Sequence, residues 1–318
     1  MAEQVDEPRR RISYSELGLP RTTNVETTLL GKQRTWHSLK KLEIFYLTIS
    51  LLTLTASLAL GIERLINLPK GSSDSTFALL LLWTTLISYL HVIEGVMREK
   101  PGDLLVFVVT SIVVLCYIIV NFMSKTEDKT KLARMIIGLV FAPIIVGCGL
   151  KLAYDYYDSK NLIFRTVGSN IDMQRMCEMV FIMSSLLMFD VQLGFSSYIL
   201  FLDEGLLNIT LREALIVSCG IVFTIIWVTI GFLAVRFENK TLVFIFLMTS
   251  VVEPSLILYN LITFQTTIVL PLRIAAYTCG IMAIIVRIAS IGCMYKVMTN
   301  FGNGLGEKSR YYFPIIKY

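Results

Sequence analysis

Residues 241–263 read TLVFIFLMTSVVEPSLILYNLIT, a run long enough to cross a bilayer and carrying a carboxylate at its centre. Glu253 lies 12 residues from the start of the run, about 18 Å along a helix that rises roughly 1.5 Å per residue. The hydrocarbon layer is about 30 Å thick, so Glu253 is expected near its midplane. Pro254 follows and has no N–H, so the helix should lose the bond that would end on the Ser250 carbonyl. On an unbroken helix Thr249, Glu253 and Asn260 share one face, at i−4, i and i+7. A charge at that depth costs at least ~2.5 kcal/mol unless a partner answers it.

Seven further runs have the same character, at 44–62, 77–96, 104–123, 132–154, 177–201, 214–235 and 272–295. With 55% hydrophobic and 17% charged residues and a mean hydropathy of +0.67 over 318 residues, the composition is that of a polytopic membrane protein. The fold expected is all-α: eight transmembrane helices in one bundle, with the lipid bilayer as its main partner. About 43 polar residues precede the first run, so no cleavable signal peptide is expected at the start of this sequence.

Several function classes are disfavoured. The net charge of +5 is spread over the tail and loops rather than gathered in a patch, which argues against nucleic acid. Two histidines and the absence of a zinc-spaced cysteine pair argue against a metal site. No phosphate-binding glycine loop is present; Gly302, Gly304 and Gly306 fall in the polar stretch after the last run, as a linker would. No cofactor and no enzyme active site are expected. The six cysteines, Cys116, Cys148, Cys177, Cys219, Cys279 and Cys293, lie in or beside apolar runs and read as small packing residues.

An even number of spans puts both termini on one side. Twenty Lys and Arg fall on the side of the termini and eight on the other, while Arg287 lies within the last run, so both termini are expected in the cytoplasm. The sequon Asn208-Ile209-Thr210 then lies outside and is the plausible glycan acceptor, whereas Asn239-Lys240-Thr241 lies inside against the membrane. Residues 1–42 read as a disordered cytoplasmic tail. Its Arg9–Ser13 and Tyr14–Leu17 stretches resemble a basophilic kinase site and a tyrosine-based endocytic signal, which leaves plasma membrane and endosomal system both open.

The first four runs resemble the last four in order. Glu43, Ser50, Leu51 and Leu52 match Glu178, Ser185, Leu186 and Leu187; Trp83, Thr85 and Glu94 match Trp227, Thr229 and Glu238. Phe107, Thr110, Ser111, Val113 and Asn121 match Phe246, Thr249, Ser250, Val252 and Asn260, and Gly147, Cys148 and Lys151 match Gly292, Cys293 and Lys296. The reading is a duplication: one four-helix repeat over 43–160, a second over 161–298, and a cytoplasmic tail over 299–318. A four-helix unit returns to its starting side, so the repeats would be parallel.

Subtracting one repeat from the other isolates the candidate site. Glu43/Glu178 and Glu94/Glu238 are shared, lie near the run ends and read as structural. Asp190, Glu253 and Arg287 have no charged counterpart, standing where the first repeat has Thr55, Val114 and Ala142. Ions in lipid should meet one another or water, and small residues beside Asp190 and Arg287 (Gly194, Gly280, Ala283) suit close helix approach. His91, on the second run, is a further candidate that a satisfied packing role would also explain. Two readings follow. In one, the chain is a transporter or channel-like protein in which Asp190, Glu253 and Arg287, with Thr249, Asn260 and His91 as pathway candidates, bind a proton, a cation or another small solute. In the other it is a receptor-like or scaffolding membrane protein whose buried charges fix helix register. A water-filled cavity reaching Glu253 favours the first, and a dry, fully paired trio the second. Substrate and oligomeric state are not legible in the sequence.

Overall fold

The long apolar runs become helices, most of which continue past the apolar limits at both ends. A computed structural model describes residues 25–28, 31–67, 73–124, 129–168, 170–202, 209–263 and 270–302. Within them an antiparallel hairpin, β1 (Val25–Thr28) and β2 (Gly31–Arg34), leads through a short 3-10 turn (Trp36–Ser38) into the helices. These are α1 (Lys41–Asn67), α2 (Ser73–Arg98), α3 (Pro101–Ser124), α4 (Lys129–Ser159), α5 (Asn161–Val167), α6 (Ile171–Leu200), α7 (Leu211–Phe237), α8 (Lys240–Thr249), α9 (Val252–Thr263) and α10 (Leu270–Thr299). Eight helical spans are long and apolar enough to cross a bilayer, with α8 and α9 together supplying the seventh. Asn208, residues 1–24 with Arg9–Ser13 and Tyr14–Leu17, and residues 303–318 lie outside the described residues.

Helix starts are set by local polar chemistry. Thr210 and Glu213 form a capping box on α7, each side chain accepting from the other's backbone N–H at 3.3 and 2.9 Å. The Asn170 side chain caps α6, and the Asn239 side chain accepts from Thr241 N at 2.9 Å to cap α8. Lys160, in the left-handed region at φ 46°, separates α4 from α5.

The bundle is apolar on its outer surface, unlike a water-soluble domain, and its interior mixes apolar cores with buried polar side chains. Leu86, Leu90, Ile112, Ile136, Val140, Ile226, Phe244 and Ile288 are exposed, while Ser50, Ser88, Thr110, Gln192, Thr224 and Ser290 are buried. One apolar core, with Tyr46, Val92, Leu104, Phe107 and Leu152, lies among α1–α4. A second, with Met183, Leu187, Trp227, Val243, Phe246 and Met294, lies among α6, α7, α8 and α10. Phe77, Leu80 and Tyr117 join the two groups by packing on Leu200, Leu272, Ala275 and Cys279, so α2 and α3 meet α6 and α10. Neighbours follow the same plan in each group: α1 touches α2 and α4 as α6 touches α7 and α10, and α3 touches α2 and α4 as α8 touches α7 and α10.

Part of the stretch read as a disordered tail is docked. Arg34 is buried, with Nη1 3.1 Å from Glu43 Oε1 and 2.9 Å from Glu99 Oε1, and Nη2 3.1 Å from Glu43 Oε2. Burial works against its charge, but the hydrogen bond to Glu43 and the fields of Glu99 and Glu43 hold its pKa above the ordinary arginine value. Tyr156 Oη also donates to Glu43 Oε1 at 2.9 Å. Glu43 is 1% exposed and needs a base. The polar segment just before α1 supplies one, which is why the order extends back to β2.

Candidate functional site

The site begins with a broken helix. Pro254 has no N–H, and the chain between α8 and α9 leaves the α-helical ladder: Ser250 N turns to the Leu247 carbonyl at 3.3 Å instead of Phe246 O. The Ser250 hydroxyl donates to the same Leu247 carbonyl at 2.6 Å, and the ladder resumes with Ser255 N on Val251 O at 3.2 Å. The freed Phe246 carbonyl accepts from Trp227 Nε1 at 3.1 Å. Trp227 and Phe246 stack with ring centroids 4.1 Å apart. An indole on α7, helped by the Thr249 hydroxyl at 3.3 Å, therefore satisfies the backbone group that the break exposes.

Glu253 emerges in the first turn of α9, where the helix dipole favours an acid. There it meets the two other unrepeated charges. Arg287 on α10 engages Asp190 on α6 as a fork, Nε to Oδ1 at 3.1 Å and Nη2 to Oδ2 at 2.6 Å. Arg287 Nη2 also donates to Glu253 Oε2. All three residues are no more than 2% exposed. The guanidinium lies over the Trp227 ring, 3.6 Å from its centroid, and Nη1 has no hydrogen-bond acceptor among the described residues. Thr224 Oγ1 lies 3.4 Å from Glu253 Oε2, and Tyr198 Oη is 3.3 Å from that hydroxyl. Gly194 makes room for the cluster: a Cβ there would collide with Glu253 Oε1.

The other sequence candidates fall elsewhere. Thr249, expected on one face with Glu253 and Asn260, ends α8 on the far side of the break, its hydroxyl donating to the Ile245 carbonyl at 2.7 Å. The break separates Thr249 from Glu253, whereas Glu253 and Asn260 both lie on α9. Asn260 sits on α9, beyond the break. His91 is buried on α2, in the field of Asp103 and Glu94 rather than of the trio. The four shared glutamates have partners of their own. Glu43 takes Arg34, Glu94 takes Lys100 at 3.2 Å, Glu178 takes Lys160 at 3.3 Å, and Glu238 accepts from Gly302 N at 3.0 Å. Trp227, Thr224 and Tyr198 were not legible as site residues. Trp227 carried a signal, an indole with an obligatory donor in an apolar run, but its acceptor exists only because of a break in another helix.

The site is enclosed. None of the four principal cavities is lined by Asp190, Glu253 or Arg287. The largest, about 740 Å³, lies between α3, α4 and α6 with Lys100 and Lys160 at its rim. Among the described residues no group of three His, Cys, Asp or Glu side chains is placed to hold a metal ion. The cluster thus offers two carboxyls to one guanidinium that stays charged at any ordinary pH.

No curated protein and no solved structure matches this chain. A family described as a domain of unknown function, DUF7789, matches residues 30–154 and 167–297, which reach into all eight candidate spans. The chain belongs to the DUF7789 family.

Proposed function

We propose that this chain is a multi-pass membrane transporter or channel-like protein whose working centre is the Asp190–Glu253–Arg287 cluster. One observation carries the proposal: two buried carboxyls share one guanidinium at the point where a spanning helix is interrupted. The cluster is one negative charge in excess, which a proton or a monovalent cation balances. Interrupted helices at buried charge sites give a backbone that can rearrange while its polar groups find new partners. The enclosed cluster is then an occluded state, with the proton or cation held among Asp190, Glu253 and Thr224.

Two parallel repeats are part of the proposal. The stretches matched by the family divide between the two helix groups, and the neighbour plan of one group recurs in the other. The distribution of Lys and Arg supports both termini on the cytoplasmic side with Asn208 opposite as glycan acceptor. An epitope tag at either end that is reached from outside intact cells contradicts that orientation.

The rival reading, a receptor-like or scaffolding protein held in register by its charges, is favoured by the burial of the cluster, whose three residues are no more than 2% exposed. Purified protein in liposomes loaded with a pH-sensitive dye, under an imposed proton or potassium gradient, separates the two. Transport predicts dissipation by the wild type and its loss in Asp190→Asn and Glu253→Gln. Wild-type vesicles no leakier than protein-free ones leave the register role.

A further inference from the structure

The second half fills its centre with charges, and the first half leaves the same place open. Val114 and Ala142, which stand where the second half has Glu253 and Arg287, both line a cavity of about 90 Å³ among α1–α4. Its polar lining includes Ser57, Thr85, Ser88, Thr110, Ser111 and Arg134. A second cavity of about 30 Å³ shares Thr84, Thr110 and Val114 with the first and reaches Gln192 and Ser196 on α6. At their junction the buried Gln192 side chain donates from Nε2 to Thr110 Oγ1 at 3.2 Å and also interacts with His91 on α2.

Apolar voids stay dry, but a void lined with hydroxyls and large enough for one holds water. At about 30 Å³ per water, the first cavity takes about three molecules and the second about one. Cations are disfavoured because no carboxylate lines either cavity and Arg134 does. The walls also carry apolar side chains such as Leu81 and Phe107, but volumes of about 90 and 30 Å³ are too small for a lipid chain. Arg134 and Leu60 place the wider end of the passage where α1 finishes and α4 begins, and Arg134 donates there to the Leu60 carbonyl.

We infer that the first half houses a hydrated passage, in which water enters at the Arg134 end and reaches Gln192 at the junction of the two halves. Gln192 is two residues along α6 from Asp190, so the passage brings water to the helix that carries the charged cluster. The inference rests on the cavities and their lining and stands whether or not the chain transports anything.

Hydroxyl-radical footprinting of the wild-type protein in lipid nanodiscs, read by mass spectrometry, tests it. Radicals made from water beside a side chain oxidise it, and side chains facing lipid meet no water. Leu115, Ile118 and Ile137 line the cavity, whereas Ile112 and Ile136 on the same two helices are exposed to the lipid side. The lining residues should be oxidised on the order of tenfold more than the lipid-facing pair, given a chamber holding about three waters. Ala142→Leu, which fills the chamber, should return Leu115 and Ile118 to the lipid-facing level. Equal oxidation of the two sets in the wild type, or a footprint that Ala142→Leu leaves unchanged, would overturn the inference. Neither result depends on a flux measurement.

Discussion

Arg287 has the least freedom of any residue in the bundle. It cannot lose its proton, it is 2% exposed, and its fork closes on Asp190 with a third bond to Glu253. Arg287→Leu should strand two neighbouring carboxyls and cost roughly 3–5 kcal/mol, as breaking a buried pair does. Asp190→Asn added to that variant should recover more of the loss than Glu253→Gln, because Asp190 takes two of the three bonds. Thermal unfolding of the purified single and double variants in detergent checks this, and the absence of recovery in both doubles would contradict a coupled network. The three residues could be found in the sequence because charge in an apolar run is rare and the apparent first repeat lacks it. Their mutual contact could not, since spacing along a chain does not say how α6, α9 and α10 are arranged around one another. Gly194 shows both sides of this. Its small size beside Asp190 signalled close approach, but that the approaching group is the Glu253 carboxyl is a matter of packing alone.

At the scale of the element, the interruption between α8 and α9 was half legible. Pro254 foretold the loss of a ladder bond, and the helix does break. The break falls three to four residues earlier in the chain than the proline itself, since Pro254 sits in the first turn of α9, where proline is tolerated. The expected stripe assumed an unbroken helix: the break removes Thr249 from it, while Glu253 and Asn260 remain seven residues apart on α9. What the pattern of hydrophobicity could not show is the donor that makes the break tolerable. Trp227→Phe keeps a ring beside Phe246 and Arg287 but removes the N–H that the Phe246 carbonyl accepts. The Phe246 carbonyl would keep only the long contact from the Thr249 hydroxyl at 3.3 Å; a poorly satisfied buried carbonyl costs up to about 1–3 kcal/mol, so the variant should unfold at lower temperature than the wild type. Trp83→Phe also removes an indole donor, but its acceptor, the Gln192 carbonyl, keeps the Ser196 hydroxyl at 2.7 Å, a shorter bond than the 3.3 Å contact left at Phe246. The loss there should be smaller, and a larger loss for Trp83→Phe would argue against a special role for the break. The start of α1 carries the opposite lesson: low hydropathy marked the preceding residues as a tail, but the buried Glu43 draws Arg34 into order.

Across the whole molecule the two helix groups share a neighbour plan and differ in what occupies their centres. One centre holds a hydroxyl-lined cavity and the other three ionisable groups packed against an aromatic stack. The eight-span plan was legible because apolar length survives any rearrangement of neighbours. The meeting of α2 and α3 with α6 and α10, which sets the two centres side by side, was not, because lipid-facing and partner-facing helices have similar composition. Central to the proposed activity is one exchangeable proton or cation held by two carboxyls and one guanidinium. Infrared difference spectra between the wild type and the Asp190→Asn and Glu253→Gln variants, recorded near neutral pH without added sodium or potassium, test it most directly. The expected result is a protonated-carboxyl stretch in the wild type that disappears in at least one variant and shifts when water is replaced by deuterium oxide. A wild-type spectrum with only ionised carboxylate at both positions, and no such band removed by either substitution, would contradict it.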